Sequence, residues 1–310
     1  MARIVFMGTP EFAVPALDAL TQTTHKVVGV YTRPDQPAGR GKQLRSSPVK
    51  QLAQARTLPV FQPPTLRKPE FVAPLRDLAP DLIVVAAYGL ILPPDVLAIP
   101  PRGCVNTHAS LLPRHRGAAP IAAAILAGDQ ETGITLMRMD AGLDSGPILA
   151  QRAIPIADDD TTGALTPKLA DLAAALLVDT LPHILTGDIT SQPQDESRAT
   201  YQKMIRKEEG LVDWSRSATE IDRRVRAFNP WPSAYTFWNK TQLKILRVQT
   251  ASNTTRGEPG RVIEWQDEIA VTTGDGTLIL SEVQLAGKRA MSAQEFARGQ
   301  REFVGTLLRA

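Results

Sequence analysis

Ile4-Val5-Phe6-Met7-Gly8-Thr9-Pro10-Glu11-Phe12-Ala13-Val14-Pro15-Ala16-Leu17-Asp18-Ala19-Leu20 opens on a short apolar run, turns at Gly-Thr-Pro, and continues with apolar residues at helical spacing. Further apolar runs at Val27 to Tyr31 and Leu82 to Ala87 alternate with a second helix-like stretch at Pro48 to Ala55. Strands that are apolar throughout, separated by amphipathic helices, read as βαβ units around a parallel sheet buried on both faces. The first half of the chain is therefore expected to be α/β and Rossmann-like. The Gly8-Thr9-Pro10 turn lacks the G-x-G-x-x-G spacing that places a pyrophosphate on a helix N-terminus, so no nicotinamide cofactor is expected.

Working outward, Arg102 to Val105 reads as a strand entry, Ala118 to Leu126 as an Ala-rich helix closed by Gly128, and Ile134 to Met139 as another strand. Thr161 to Leu185 is helical in pattern, with Pro167 and Pro182 expected to interrupt it. From Asp188 to Thr200 the composition turns polar, which places an interdomain linker at 188–206, between a domain at 1–187 and one at 207–310. Beyond it, Ser217-x-x-Glu220 is a capping box that opens a helix to Ala227. Five short runs follow: Ala234 to Trp238, Leu243 to Val248, Val262 to Trp265, Ile269 to Thr273 and Leu278 to Val283. With a tight Gly274-Asp275-Gly276 turn, they predict a small β-rich domain compatible with an OB-type barrel.

A chain of 310 residues exceeds the size at which one core keeps growing, so two domains are expected. Its net charge of +3 permits an acidic partner without requiring one. The single cysteine, Cys104, excludes an internal disulfide and reads as a buried thiol. No basic-plus-apolar leader opens the chain and no run approaches the roughly 18 apolar residues of a membrane span. A cytoplasmic protein without a membrane partner is the expectation, with a monomer as the default. The four His and one Cys show no metal-ligand spacing, so no metal is expected.

Chemistry concentrates in Asn106-Thr107-His108-Ala109-Ser110-Leu111-Leu112-Pro113, followed by Arg114-His115-Arg116-Gly117 and later by Gly142-Leu143-Asp144-Ser145-Gly146. On an extended chain Asn106 and His108 project to one side. An imidazole moves a proton near neutral pH, and an amide donates to an oxygen that gains charge as a carbonyl is attacked. Asp144, in a Gly-flanked loop, is expected to orient the imidazole and favour its protonated form. Tyr88, Gly89 and Leu90, after the Leu82 strand, suit the wall of an apolar pocket. His115 and Arg116 suit anionic substrate groups.

The strings at 106–121, Glu131-Thr-Gly-Ile-Thr135 and Met139-Asp-Ala-Gly-Leu-Asp-Ser-Gly146 resemble the 10-formyltetrahydrofolate-dependent formyltransferases. Phe6-Met-Gly-Thr-Pro-Glu-Phe-Ala13, Arg33-Pro-Asp-Gln-Pro-Ala-Gly-Arg-Gly-Lys42 and Arg226-Ala-Phe-Asn-Pro-Trp-Pro232 extend the likeness to the group that acts on methionyl-tRNA, over nearly the whole chain. The resemblance implies Asn106, His108 and Asp144 as the catalytic three, and Ser110, Leu111, Leu112 and Pro113 as folate contacts. It also implies 10-formyltetrahydrofolate as co-substrate and the same C-terminal barrel.

Tyr31 to Lys50 holds Arg33, Arg40, Lys42, Arg45 and Lys50 against one acid, Asp35, with Pro34, Pro37, Gly39 and Gly41 expected to keep it irregular. By charge, Arg33, Arg40, Lys42 and Arg45 are candidate phosphate contacts, and the resemblance implies that this loop enters a tRNA acceptor arm with Arg40 prominent and methionyl-initiator tRNA as partner. A formyltransferase of small amines, such as a nucleotide sugar or glycinamide ribonucleotide, would share the catalytic three and have no need of this loop. A non-catalytic RNA-binding module would not need all three.

Overall fold

The structure is a computed structural model and describes residues 1–38, 43–251 and 257–309. By internal contact the chain forms two compact units: Met1–Pro120, Glu131–Pro155 and Thr166–Gln202 in the first, and Ile121–Gln130, Ile156–Leu165 and Lys203–Ala310 in the second.

In chain order the first unit contains β1 (Arg3–Gly8), α1 (Val14–Thr21), β2 (Lys26–Tyr31), β3 (Gln36–Ala38), β4 (Gln43–Arg45), α2 (Pro48–Ala55), β5 (Val60–Phe61) and α3 (Pro69–Asp77). It continues with β6 (Leu82–Ala86), α4 (Pro94–Leu97), β7 (Cys104–His108) and β8 (Arg116–Gly117). The helix α5 (Pro120–Ala127) then falls almost wholly in the second unit, before β9 (Glu131–Arg138) and β10 (Ile148–Pro155). The long helix α6 (Thr162–Thr186), which belongs to the first unit from Thr166 onward, and β11 (Tyr201–Gln202) complete it.

Seven strands form one sheet in the order β10-β9-β7-β6-β1-β2-β5. The stretch from β5 to β7 is parallel, as the apolar runs predict, and β1 and β6 are buried along almost their whole length. The sheet as a whole is mixed rather than parallel, because β9 runs antiparallel to β7 and β10 antiparallel to β9. The loop between β9 and β10 needs no crossover helix, which is what an antiparallel neighbour permits.

From β1 the chain winds through β2 to β5, then returns to the opposite side of β1 for β6 and β7. The winding direction therefore switches between β1 and β6, and in such sheets ligands bind beyond the carboxyl ends of the strands at the switch. Gly8 ends β1 there. A Cβ on it would lie 2.8 Å from the Ala13 side chain and 3.0 Å from the Ala86 carbonyl, so glycine is what lets these elements approach.

Two expectations need correction. The 31–50 stretch is partly regular, because β3 and β4 pair antiparallel with Gln36 opposite Arg45. A short two-stranded ladder tolerates Pro37 as an interior sheet would not. The prolines also do not break α6, which runs unbroken through Pro167 and Pro182. Buried Leu169, Ala170, Ala173, Leu176, Leu177, Leu181 and Ile184 recur at helical spacing and hold it against the first unit. This helix is long and apolar enough to cross a membrane by composition, but half of its most apolar window is buried inside the protein, which is the pattern of a core helix.

The second unit contains α7 (Ala218–Ala227), β12 (Ala234–Trp238), β13 (Thr241–Thr250), β14 (Val262–Trp265), β15 (Glu268–Thr272), β16 (Thr277–Leu285), β17 (Met291–Ser292) and α8 (Ala293–Gly299). The capping box forms as read: Ser217 Oγ accepts from Glu220 N at 3.2 Å, and Glu220 Oε2 accepts from Ser217 N at 3.1 Å. Five strands follow the order β12-β13-β16-β15-β14. The chain end then reaches both edges, with Phe237 N donating to Arg309 O at 3.2 Å and Val262 N donating to Thr306 O at 2.9 Å. Inside, Trp238, Phe296 and Phe303 meet edge to face with centroids 4.9 to 5.8 Å apart.

Leu177 is fully buried. Leu177→Ala is expected to lower the unfolding free energy by about 2–5 kcal/mol, measured by urea denaturation. A loss below about 1 kcal/mol would show that α6 is not a core helix of the first unit.

Candidate active site

The parallel part of the sheet delivers Asn106, Thr107 and His108 to the carboxyl end of β7, where backbone pairing with β6 and β9 fixes their register. Thr107 is turned away and buried, its hydroxyl donating to Val85 O at 3.3 Å. Asn106 and His108 share the other face. His108 is almost wholly buried, while Asn106 is half-buried and its carboxamide has no hydrogen-bond partner among the described residues.

The turn after β7 is held from several sides. Thr135 Oγ1, on β9, donates to Ser110 O at 2.6 Å and accepts from Leu112 N at 3.0 Å. Gln151 Nε2, on β10, donates to Leu112 O at 2.9 Å and to Thr135 Oγ1 at 2.8 Å. Ser110 Oγ donates to Arg114 O at 2.7 Å, so that hydroxyl shapes the turn. His115, at a φ of 59°, donates its N–H to Thr200 Oγ1 at 2.8 Å. Its carbonyl lies 3.0 Å from His108 Nε2. A carbonyl only accepts, so Nε2 carries the proton and Nδ1 is the lone-pair nitrogen of the neutral ring.

That lone pair faces the carboxylate. His108 Nδ1 lies 3.7 Å from Asp144 Oδ2, and the same oxygen accepts from Gly117 N at 2.8 Å. Gly117 has no alternative: its φ is 107°, and a Cβ would lie 2.3 Å from Gln202 O. Sequence reasoning brought Asn106, His108 and Asp144 together and missed what supports them. Gln194 Nε2 donates to Asp144 O at 2.8 Å and to Gly146 O at 2.7 Å, from the segment expected to be a linker. Alternation of polar residues gave no signal for this.

Arg116 departs from expectation. It is among the most buried side chains of the protein and meets protein groups rather than presenting itself to a substrate. Nε and Nη2 donate to Gln194 Oε1 at 3.0 and 2.8 Å, while Nη1 and Nη2 donate to the Glu196 carboxylate at 2.9 and 2.7 Å. Nη1 also donates to Tyr201 Oη at 3.0 Å. The Glu196 hydrogen bond raises the guanidinium pKa and lowers that of the carboxylate in turn.

Asp144 favours the charged form of His108, as expected, but a larger effect opposes it. Burial pushes the imidazole pKa down, and this outweighs the opposing pull of Asp144 and of the His115 carbonyl. The resting ring is neutral, with Asp144 placed to stabilise a proton that arrives on Nδ1. Cys104 is buried, and burial pushes its thiol up to about 12, which excludes it as a nucleophile near neutral pH.

Leu112 and Pro113 are buried, and Leu111 is half-buried. Tyr88 is buried and its carbonyl accepts from Thr9 Oγ1 at 2.8 Å across the β1/β6 switch, while Leu90 packs into the core of the first unit. Gly89 is exposed, and its carbonyl accepts from Arg33 Nη1 at 2.8 Å. Arg45 is exposed on β4, and Lys50 is paired with Asp35 at 2.6 Å. Arg40 and Lys42 lie outside the described residues. Among the described residues no group of three His, Cys, Asp or Glu side chains has metal-holding geometry.

The His108 imidazole is expected to titrate below its usual value of about 6.5. Because Asp144 favours the charged form, Asp144→Asn moves the titration lower still. Both are read from ring-proton NMR shifts against pH. An upward move in Asp144→Asn would contradict the assigned interaction.

The formyl transferase family profile matches residues 2–181, and that of the formyl transferase C-terminal domain matches residues 204–301. A methionyl-tRNA formyltransferase of Methylococcus capsulatus is 53% identical over 294 residues, covering 95% of this chain and 96% of that protein. One of Roseiflexus castenholzii is 50% identical over 301 residues, covering 96% of each. Among solved structures, an N-formyltransferase from Helicobacter canadensis in complex with folinic acid and dTDP-3-aminofucose superposes with a TM-score of 0.68 at 20% identity, covering 90% of this chain and 99% of that one. With its two profiles matched in order and relatives alike over nearly their whole length, the chain belongs to the formyl transferase family.

Proposed function

We propose that the protein transfers the formyl group of 10-formyltetrahydrofolate to the free amino group of methionyl-initiator tRNA. The observation that carries formyl transfer is the unengaged Asn106 carboxamide beside a buried neutral imidazole whose Nδ1 faces Asp144. The choice of acceptor is supported by relatives of that name at about half identity over nearly the whole chain.

The co-substrate supplies an electrophilic formyl carbon. The donor set of the site fits it, because an amide N–H donor with no internal partner stands ready for the formyl oxygen as it gains negative charge. His108 Nδ1 takes the proton released when the amine nitrogen bonds to the formyl carbon. Asp144 stabilises the imidazolium, and Nε2 stays tied to the His115 carbonyl. The same proton then leaves Nδ1 for the departing folate nitrogen, so the ring ends neutral and ready for another cycle. Tyr88, Gly89 and Leu90 at the switch and Ser110 to Pro113 in the turn line the folate pocket through backbone and apolar contacts.

Arg33, Arg40, Lys42 and Arg45 contact the tRNA acceptor arm, a role that rests on the resemblance of the basic 31–50 stretch. The second unit is an OB-type barrel that binds tRNA, a reading supported by the chain-end bridges that join both edges of its sheet. The protein acts in the cytoplasm as a monomer.

Formyl transfer from 10-formyltetrahydrofolate to methionyl-initiator tRNA is the test. Asn106→Ala is expected to lower kcat by about a hundred- to a thousandfold, the usual cost of one oxyanion donor, with KM little changed. Near-normal turnover in Asn106→Ala would overturn the assigned chemistry. Arg45→Ala is expected to raise KM for tRNA without lowering kcat. Equal activity on small amines, indifferent to tRNA, would instead assign a small-amine formyltransferase.

A further inference from the structure

Asp144 adopts a left-handed backbone conformation, which aspartate visits more readily than most side chains but which still costs free energy. Its φ is 50°, and such residues persist where their surroundings restrain them. One neighbouring turn is local: Asp140 Oδ1 accepts from Gly142 N at 2.9 Å and from Ser145 Oγ at 3.0 Å. The restraints on Asp144 itself come from elsewhere in the sequence. Its carboxylate is held by Gly117 N, and its carbonyl, with that of Gly146, is held by the single Gln194 carboxamide.

Both restraints lead back to Arg116. Gly117 follows it in β8, and the Gln194 oxygen is gripped by two of its N–H groups. Glu196 and Tyr201 engage the remaining guanidinium donors, so the side chain sits in one orientation although its carboxylate partner is largely exposed. The amide of Gln194 is thereby oriented with its oxygen toward Arg116 and its NH2 toward the two loop carbonyls.

We propose that Gln194, clamped by Arg116, is a positioning residue that holds Asp144 where its carboxylate meets His108 Nδ1. The inference rests on the reading of Asp144 as the partner of His108 in formyl transfer. Neither Gln194 nor Arg116 touches the reacting atoms; they act through the backbone of the Asp144 loop. The segment around Gln194 is thus part of the active-site scaffold rather than a passive tether.

The test is a double-mutant cycle of Gln194→Glu with Asp144→Asn, read as kcat and KM for formyl transfer. Gln194→Glu keeps the acceptor for Arg116 and removes the NH2 that holds the loop. It is expected to lower kcat by about tenfold to a hundredfold, the scale of a misplacement that reaches the chemistry indirectly, with KM for both substrates within about threefold. In the Asp144→Asn background the same change is expected to cost less than about threefold, because the group it positions is already gone. Equal losses in both backgrounds, or no loss in either, would overturn the proposal. Should Gln194→Glu fail to fold by thermal melting, Gln194→Met, which fills the same volume without charge, carries the cycle with the same expectations. Full activity in Asp144→Asn alone would remove the reading beneath the proposal and the proposal with it.

Discussion

The hydrogen bond from His108 Nε2 to the His115 carbonyl is the constraint on which the site depends. It fixes which nitrogen holds the resting proton, and so fixes that the basic nitrogen is the one facing Asp144. For this bond to exist, the chain must reverse sharply between Ser110 and His115, with His115 at positive φ. The reversal is imposed by groups on neighbouring strands: Thr135 on β9, Gln151 on β10, and Thr200 from the segment that pairs through β11 with β8. The antiparallel strands that make the sheet mixed are therefore the ones that brace the site.

Two opposing electrostatic demands meet here. The proposed role of His108 as general base requires a ring that is neutral at rest, and burial supplies that by penalising the charged form. The same burial would make protonation prohibitive without a nearby negative charge, and Asp144 supplies it at 3.7 Å with one oxygen held by Gly117. That separation leaves the carboxylate too distant to lock the proton in a tight ion pair. A buried guanidinium close by is costly unless every donor is engaged. Arg116 meets that condition through Gln194, Glu196 and Tyr201.

Much of this was legible in the sequence where one physical rule dominates. Apolar runs gave β1, β2 and β6, Pro48 to Ala55 matches α2, and Ser217-x-x-Glu220 placed the start of α7. The five short runs of the C-terminal half all became strands. What escaped was set by tertiary contact. β10 is a largely exposed edge strand with no apolar run to announce it, and α3 is polar and contains Pro74. Pro167 and Pro182 argued against a continuous helix, and the buried stripe of α6 outweighed them. At the site, side-chain type and the strand period singled out Asn106 and His108 as candidates at the end of β7. Nothing local distinguishes a guanidinium that binds substrate from one that braces a loop, so Arg116 and Gln194 became intelligible only when their partners were in place.

The most direct test of the account is the tautomeric state of His108 in the resting enzyme, read from its side-chain nitrogen resonances in a long-range nitrogen–proton correlation spectrum near neutral pH. The account predicts a neutral ring with the proton on Nε2 and an unprotonated Nδ1. A proton on Nδ1, or a fully charged ring at rest, would contradict it, because the nitrogen facing Asp144 would then have no lone pair with which to take the proton from the amine.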